Sequence, residues 1–334
     1  MDIKLNDIQR CITIAYGIDD IKSVERFTVV ASKFTTQDHH FLVKTSKNTF
    51  FLKRYDTSHI NKILCEVSAV LRLKDRIRIP QIFQTKEKLD YFIDNGSVFV
   101  LYQYVDVLNL KETDEEAQSF FDVLCDIETK LTASNSDWNN FYDFHLHLSR
   151  FESESTELLK VIASDGRNHA PRDLEYVKFL VNEVNKLKSD ILNLKIPKSL
   201  IHGDFLMQNL LRDEDGIVWV LDWEKSLEYI TSVDVMRSIT FTMFDPAQED
   251  MNLNAEVFAK WSRYCFKKIP LSKEEKSNAI NLYYFHVITN TDFLRRLYIE
   301  RQDLNEKMAG EDFLICKWFR DHKDAIQVVA GSIL

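Results

Sequence analysis

Residues 200–225 bring carboxylate, amide and imidazole side chains together in one short stretch, which reads LIHGDFLMQNLLRDEDGIVWVLDWEK. Gly203 allows the backbone to bend, so that Asp204 projects from a loop, and Asn209 follows five residues later. In this arrangement the carboxylate can accept the proton of an alcohol, and the amide oxygen can bind Mg²⁺. The spacing is that of a kinase catalytic loop and indicates phosphoryl transfer.

A second carboxylate follows after a predicted hairpin. Polar residues 213–216 predict a turn, and the apolar run 217–221 predicts a fully buried strand that ends at Asp222. A carboxylate at a strand end, facing the catalytic loop across a hairpin, can hold Mg²⁺ between the phosphates of a nucleotide. Taken singly, Asp204, Asn209 and Asp222 are typical of a helix cap, a turn and a strand end. Together, they favour a phosphoryl-transfer site.

These motifs, H-G-D-x-x-x-x-N at residues 202–209 and D-W-E at residues 222–224, resemble those of the aminoglycoside phosphotransferase and choline kinase family of small-molecule kinases. The order of the flanking elements fits as well, so the resemblance covers most of the chain. It implies an α+β, two-lobed protein-kinase-like fold. Residues 1–104 would form an N-terminal lobe with an antiparallel sheet that binds nucleotide. Residues 105–334 would form a larger, mainly helical C-terminal lobe for catalysis and acceptor binding.

The resemblance also implies roles for single residues. By this resemblance Asp204 is the catalytic base, Asn209 and Asp222 are the metal ligands, and the histidine of the first motif supports the loop. Three departures separate the sequence from protein kinases: Gly203 stands where those enzymes have Arg, Trp–Glu replaces Phe–Gly after the second aspartate, and there is no A-P-E segment. These departures favour a small acceptor over a protein.

Two charged residues earlier in the chain are predicted to bind the nucleotide phosphates. Lys53 lies within an apolar strand predicted over residues 49–55, where an ammonium group is costly to bury unless it meets phosphates and a carboxylate. The corresponding lysine of kinases does this. The next predicted helix, residues 60–73, offers Glu66 as its one carboxylate, so Glu66 is the predicted partner. The alternative is a lysine that snorkels from an edge strand.

The remaining elements of the first 104 residues are predicted to complete the sheet. The loop 33–38 would lie over the phosphates, but it contains no glycine, so a phosphate cradle there would need ordinary backbone N–H groups and hydroxyls. The family alignment places an adenine-binding hinge after the last strand, with the Gln103 carbonyl and the Val105 N–H as contacts. The predicted elements are a helix at 5–16, strands at 24–32 and 40–44, and a hairpin of 86–93 with 97–104.

From residue 113 onward the sequence predicts mainly helices, although residues 135–170 are interpreted as less regular. His145 and His147 have the spacing of two metal ligands on a strand, but the sequence shows no third ligand. The helices are predicted at 113–131, 174–187, 234–239, 282–298 and 313–328. Five acids in this part of the chain are candidates for lining an acceptor pocket, and the alternative is that each lies on the surface. They are Asp245, Glu249, Asp250, Asp292 and Glu300.

Composition narrows the classes of partner. The 334 residues carry a net charge of −9, which argues against a nucleic-acid partner. Residues 1–104 hold 16 Lys and Arg against 12 Asp and Glu, and the rest of the chain holds 27 against 40. A basic first part suits nucleotide phosphates, and an acidic second part suits a metal or a cationic acceptor. Five scattered cysteines without a C-x-x-C pair fit a reducing cytoplasm. The charged first residues, and the absence of an apolar run of about 18 residues, predict no secretion and no membrane partner.

The sequence therefore predicts an ATP-dependent O-phosphotransferase that needs Mg²⁺, and GTP is left open as an alternative donor. Its acceptor is a hydroxyl of a small molecule of the aminoglycoside, amino alcohol, homoserine or sugar class. One alternative is a catalytically inactive nucleotide-binding or structural relative, which the glycine-free loop favours. A protein kinase is the second alternative, which the HGD and DWE motifs disfavour. The oligomeric state is left open.

Overall fold

The structure is a computed structural model, and it describes residues 5–27, 40–105, 108–109, 114–132, 144–216, 218–243, 254–304 and 307–331. The chain divides into two compact units. One comprises Met1–Glu116 with His202–Ser226, and the other comprises Ala117–Ile201 with Leu227–Leu334. These units are defined by how compactly the chain packs, whereas the predicted lobes were defined by what each would bind. The predicted boundary at residue 104 therefore stays a prediction.

The first unit is built on a five-stranded antiparallel sheet. Its elements are α1 (Leu5–Tyr16), β1 (Ile21–Arg26), β2 (His40–Thr45), β3 (Thr49–Asp56), α2 (Ile60–Leu73), β4 (Phe92–Asp94) and β5 (Ser97–Gln103). The strand order is β1-β2-β3-β5-β4. Lys53 of β3 lies opposite His40 of β2 and Val100 of β5, so it occupies an interior position of the sheet rather than an edge.

Side chains that alternate along β3 give the sheet one face toward the apolar core and one face toward α2. Phe50 and Leu52 join the apolar core that also contains Ile8 and Ile12 of α1. Because side chains on a strand point alternately to opposite faces, Lys53 and its neighbours two residues away face the other way. That second face meets α2, whose Glu66 is buried. Burial of the first face therefore determines which residues point toward α2.

The motif residues lie in the loop and turns next to a smaller sheet in the same unit. Its strands, in the order β6-β8-β9, are β6 (Leu108–Asn109), β8 (Leu210–Arg212) and β9 (Val218–Val220). Single 3₁₀ turns, Met207–Asn209 and Trp223–Lys225, stand before β8 and after β9. The prediction of a fully buried strand was wrong for β9: Val220 is buried, but Trp219 is only half-buried, because its indole N–H reaches Asp213 Oδ2 at 2.9 Å.

The second unit is mainly helical. Tyr283 and Phe258 pack against Phe319, and Phe121 stacks on Trp261 with 4.2 Å between ring centroids. The elements are α3 (Asp114–Thr132, in this unit from residue 117), α4 (Phe144–Ala163), α5 (Ala170–Leu192), β7 (Ser199–Ile201), β10 (Leu227–Tyr229), α6 (Thr231–Met243), α7 (Ala255–Lys268), α8 (Lys273–Ile288), α9 (Asp292–Leu294) and α10 (Lys307–Gly331). Strands β7 and β10 pair antiparallel. The predicted α+β class, with an N-terminal antiparallel sheet and a helical C-terminal part, is confirmed.

Several predicted boundaries were wrong for local reasons. Residues 86–91 are not a strand, because Lys88 has a φ of 64° within a turn that Thr85 closes. Residues 144–163 form a regular helix, although their sequence was interpreted as irregular. The predicted helix 282–298 is interrupted after Ile288, where Thr289 Oγ donates to the Phe285 carbonyl. The loop 33–38 and residue 113, the first of the predicted helix 113–131, lie outside the described residues.

The candidate acceptor acids have different outcomes. Asp292 and Glu300 both pair with Arg295 on exposed parts of the second unit. This arrangement agrees with the surface alternative for these two. Asp245, Glu249 and Asp250 lie outside the described residues.

The two histidines singled out in the sequence lie at the start of α4, not on a strand. Residues two apart on a helix point in different directions, and His147 Nε2 lies 3.0 Å from Thr289 Oγ. Within the described part of the chain no group of three or more His, Cys, Asp or Glu residues is arranged to hold a metal. The described residues therefore give this pair no third ligand.

Two histidine rings of the second unit, those of His147 and His286, predict a pH dependence of stability. Burial lowers the pKa of His147 to about 4 and that of His286 to about 3, from an ordinary 6.5. The unfolded chain therefore binds protons first as the pH falls, so the free energy of unfolding should decrease below pH 6.5, by on the order of 1 kcal/mol per ring at pH 5. Urea unfolding of His147→Gln and His286→Asn from pH 7 to 5 should show a flatter dependence. Exposed His145→Gln serves as the control, and a slope shared by all four proteins would contradict the assignment.

Candidate active site

Lys53 forms the centre of a charged group in the first unit. Its Nζ lies 2.8 Å from Glu66 Oε1 and 2.9 Å from Asp222 Oδ1. The Lys53 and Glu66 side chains are 11% and 2% exposed, whereas Asp222 is 36% exposed. The pair Lys53–Glu66 is thus the buried base of the group, and Asp222 is its open end. An ion pair this deep needs further hydrogen bonds to offset the desolvation of both charges.

Two tyrosines supply polar contacts around this ion pair. Tyr55, two residues after Lys53 on the same face of β3, donates its hydroxyl proton to Glu66 Oε2 at 2.6 Å. The ring of Tyr102 on β5 lies 5.7 Å from Lys53 Nζ, a distance at which a ring attracts a cation. Burial, and then the Glu66 charge, raise the pKa of both phenols well above 10. Tyr55 therefore remains a donor, and both oxygens of Glu66 have partners.

The pKa values of Lys53 and Asp222 keep both of these residues charged at neutral pH. Burial acts to lower the pKa of Lys53, but the Asp222 and Glu66 carboxylates outweigh it and hold the pKa well above 10.5. Burial acts to raise the pKa of Asp222, but the Lys53 ammonium outweighs it and leaves the pKa below 3.8. Glu224 differs: burial and then Asp222 raise its pKa above 4.5. One ammonium between two carboxylates carries a net negative charge, which suits a divalent cation.

The backbone at Asp222 directs its side chain. Asp222 has φ 62° and ψ 62°, the left-handed conformation that aspartate tolerates better than most residues. The change of direction ends β9 and begins the turn Trp223–Lys225. Trp223 is buried at the start of this turn and donates its indole N–H to the Val220 carbonyl at 3.3 Å. The buried indole therefore anchors the turn beneath the exposed carboxylate.

The loop that carries Asp204 is tied to the same turn. Gly203 has a φ of +78°, and a Cβ built there would lie 2.2 Å from the carbonyl oxygen of Lys225, so both conformation and space require glycine. The Asp204 N–H donates to His202 Nδ1 at 3.2 Å. The other ring nitrogen therefore carries the proton and donates to the Leu221 carbonyl at 2.9 Å. Buried His202 thus joins the loop to the residue before Asp222.

Asn209 and Asp222 are the two residues of this site that could hold a magnesium ion. The Asn209 amide N–H donates to the Asp204 carbonyl at 2.8 Å, which orients the side chain. The Leu221 N–H donates to the Asn209 carbonyl at 2.9 Å, so the chain next to Asp222 runs beside Asn209. Within the described residues, Asn209 Oδ1 and Asp222 Oδ2 accept no hydrogen bond. Two such oxygens agree with the coordination preference of Mg²⁺, which binds one or two protein ligands and completes its shell with phosphate oxygens and water.

Three residues near this site were not identified from the sequence: Tyr55, Glu224 and Lys225. Lys225 Nζ lies 2.9 Å from Asp204 Oδ2, and Glu224 lies next to Asp222 in the turn. The alternation of β3 could have identified Tyr55, because residues two apart on a strand share a face. No signal could have identified the ion pair of Lys225, because it depends on how the loop and the turn meet.

The predicted adenine contacts lie at the end of the sheet. Gln103 is the last residue of β5, three residues after the Val100 that faces Lys53, and its N–H donates to the Gln81 carbonyl at 2.7 Å. Val105 lies two residues beyond this strand. All seven predicted site residues thus belong to the first unit. Their roles toward nucleotide, metal and acceptor stay predictions.

A known protein family matches most of this sequence. The model of the phosphotransferase enzyme family matches residues 33–266. No protein of curated function matches the sequence. Within the described residues, no helix combines the length and the apolar character needed to cross a membrane.

Solved structures of small-molecule kinases are similar over nearly the whole chain. The choline kinase LicA from Streptococcus pneumoniae is 14% identical, with a TM-score of 0.62, covering 94% of this chain and 97% of LicA. The amicoumacin kinase hAmiN, solved with AMP-PNP, Ca²⁺ and Ami, is 13% identical, with a TM-score of 0.63 and coverages of 98% and 94%. The spectinomycin phosphotransferase APH(9)-Ia, solved with ADP and spectinomycin, is 15% identical, with a TM-score of 0.62 and coverages of 99% and 98%. At these identities the likeness shows a shared fold.

Proposed function

This chain belongs to the phosphotransferase enzyme family, and on that premise we propose that it transfers the γ-phosphoryl group of ATP to a hydroxyl of a small molecule. The observation that carries this proposal is the Lys53–Glu66–Asp222 group in the same compact unit as Asp204 and Asn209. A structural relative that binds no nucleotide would have no need to keep an ion pair buried beside the two oxygens that we propose to bind metal. The desolvation of such a pair has a cost, which phosphate binding would offset.

Each residue has a chemical task in this proposal. Lys53, oriented by Glu66, neutralises the nucleotide phosphates. Asn209 and Asp222 would hold Mg²⁺, which supplies positive charge to the phosphoryl oxygens when bound. Asp204 accepts the proton of the acceptor hydroxyl as its oxygen attacks the phosphorus in line with the leaving group. Gln103 and Val105 would contact adenine through main-chain groups.

The choice of ATP and of a small acceptor rests on the fold relatives and on charge. The kinase hAmiN was solved with AMP-PNP and the spectinomycin phosphotransferase with ADP, which favours adenine over guanine here. The names choline, amicoumacin and spectinomycin indicate small-molecule acceptors for these relatives. The acidic balance beyond residue 104 favours a cationic or polyhydroxylated acceptor. Five scattered cysteines without a C-x-x-C pair agree with a cytoplasmic location.

The test is a phosphorylation screen. The protein with Mg²⁺ and ATP, and separately GTP, is offered aminoglycosides, amino alcohols such as choline, homoserine, and sugars with a free anomeric hydroxyl. Acceptor-dependent release of ADP, together with a phosphomonoester signal in ³¹P NMR, would support the proposal. Binding of nucleotide without turnover of any acceptor would support the inactive relative. Phosphorylation of a general protein substrate would support a protein kinase.

Asp222→Asn should raise the requirement for Mg²⁺. The change keeps the size of the side chain but removes the charge that would bind the metal, so we expect the half-saturating Mg²⁺ concentration to rise about tenfold at fixed ATP. Binding of ATP is measured by calorimetry across a series of Mg²⁺ concentrations. Asp215→Asn removes the same charge from an exposed turn of this hairpin and should behave like the parent. An Asp222→Asn protein with the parental Mg²⁺ requirement would show that Asp222 is not a ligand.

A further inference from the structure

Lys225 contacts the carboxylate that is proposed to act as the base. Its Nζ lies 2.9 Å from Asp204 Oδ2, and the Lys225 side chain is 49% exposed whereas that of Asp204 is 9% exposed. The ammonium group therefore lies on the solvent side of a nearly buried carboxylate. A molecule that approaches Asp204 from solvent meets Lys225 on the way.

The backbone places this lysine. Lys225 ends the turn that begins with buried Trp223, and its carbonyl and Cβ lie against Gly203. A Cβ on Gly203 would be 3.2 Å from Lys225 Cβ. The glycine that shapes the loop thus also allows the stem of Lys225 to start beside Asp204. Contact of the two segments fixes the stem, while the four-carbon side chain leaves the ammonium free to move.

Charge distinguishes the two lysines of the site. Lys53 is shared between Glu66 and Asp222 and is nearly buried, so its positive charge is already balanced on the protein side. Lys225 is paired with one carboxylate and is half exposed. The phosphoryl group in transfer spreads negative charge over three oxygens, which need cations or donors placed around them. Lys225 can supply such a cation at lower cost than Lys53, because its present contact is partly solvated.

Distances allow the contact. An acceptor hydroxyl that gives its proton to Asp204 lies about 2.6–3.2 Å from the carboxylate, and its oxygen lies about 3–3.5 Å from the phosphorus that it attacks. The phosphoryl group must therefore come within about 7 Å of Asp204. Lys225 Nζ lies 2.9 Å from the same carboxylate, within reach of this region through rotation of its side chain.

We propose that Lys225 is a second catalytic residue, which moves from Asp204 to the γ-phosphoryl oxygens when the nucleotide binds. This proposal rests on the proposed function. In the step, the acceptor O–H proton passes to the Asp204 carboxylate, the acceptor oxygen forms a bond to the γ-phosphorus, and the bond from that phosphorus to the β–γ bridging oxygen breaks. ADP leaves with the electron pair of the broken bond. Lys225 keeps its protons throughout; its departure exposes the base, and its charge stabilises the group in transfer.

The alternative is that Lys225 only holds Asp204 in place. The two roles differ in which nucleotide they affect, because only a triphosphate has the γ-phosphoryl group. We expect Lys225→Met to weaken binding of AMP-PNP with Mg²⁺ about tenfold, while ADP binding with Mg²⁺ changes less than twofold. Lys225→Arg should keep most of the AMP-PNP affinity, since it keeps the charge. Lys47→Met removes an equal charge from the exposed turn between β2 and β3 and is the control.

A second variant tests the movement itself. Asp204→Asn removes the charge that holds Lys225 in the free protein, so we expect AMP-PNP to bind at least as tightly as in the parent. The double variant Asp204→Asn with Lys225→Met should return to the affinity of Lys225→Met alone. Calorimetry gives all these constants without an acceptor.

Each outcome decides the matter. Selective loss of AMP-PNP affinity in Lys225→Met, with Lys47→Met unchanged, supports the proposal. Equal changes for AMP-PNP and ADP, or no change for either, overturn it and leave the proposed function intact. A parent protein that binds neither nucleotide overturns the proposed function, and this inference with it. If Lys225→Met does not fold, as judged by circular dichroism, Asp204→Asn decides alone: weaker AMP-PNP binding than in the parent overturns the inference.

Discussion

Asp204→Ala is expected to reduce phosphoryl transfer by about 10²–10⁴ while nucleotide affinity stays nearly unchanged. The carboxylate of Asp204 is proposed to address the acceptor hydroxyl, whereas Lys53, Asn209 and Asp222 address the nucleotide and its metal. Removing the carboxylate therefore removes the proton acceptor from the transition state and leaves the proposed phosphate ligands in place. The loss should appear in kcat rather than in the KM for ATP.

The measurement uses the acceptor that the phosphorylation screen identifies, with initial rates of ADP release and calorimetry of ATP binding on the same protein. Asp215→Ala, an exposed acid in the adjoining hairpin, is the matched control and should keep both values. An Asp204→Ala protein that turns over at the parental rate would remove Asp204 from the mechanism. A protein that loses ATP affinity by the same factor as rate would show that Asp204 binds nucleotide instead.

Lys53 and Glu66 are expected to act as one unit. Lys53→Ala should lower kcat/KM for ATP by about 10²-fold or more, because it removes the cation proposed to meet the phosphates. Glu66→Ala should also lower kcat/KM for ATP, because the Lys53 ammonium then lacks the buried partner that lies 2.8 Å away. The double variant should lose little more than Lys53→Ala alone, since contacting residues are not additive.

A double-mutant cycle on kcat/KM for ATP measures this coupling. Lys44 and Glu25 form an exposed ion pair at 2.8 Å on the same sheet, so the equivalent cycle on that pair is the matched control and should show no effect on kcat/KM. Tyr55→Phe gives a graded test, because it removes only the 2.6 Å hydrogen bond to Glu66, and should cause a smaller loss. Fully additive losses in Lys53 and Glu66 would contradict a shared nucleotide clamp.

Local patterns in the sequence were enough for the elements whose burial follows a simple period. Helix α2 occupies the predicted residues Ile60–Leu73 because its apolar stripe recurs at helical spacing and one face is buried. The hairpin of β4 and β5 has its turn at the predicted residues 94–96, where Asn95 and Gly96 both have positive φ. The prediction of a strand at residues 86–91 was wrong, because the positive φ of Lys88 is not encoded in its residue type.

Residue types and spacing were enough to propose a chemistry for the candidate site, because carboxylate, amide and ammonium groups have few roles that justify burial together. Which of these groups pair with each other depends on contacts between residues that are far apart in the chain. Lys53 and Asp222, 169 residues apart, pair because β3 presents the lysine toward α2 while a left-handed backbone at Asp222 turns its carboxylate to meet it. Lys225 reaches Asp204 because a glycine lets two segments touch. Periodicity specifies the face of an element, but side-chain direction across loops follows from backbone angles and long-range packing, which arise only when the chain folds.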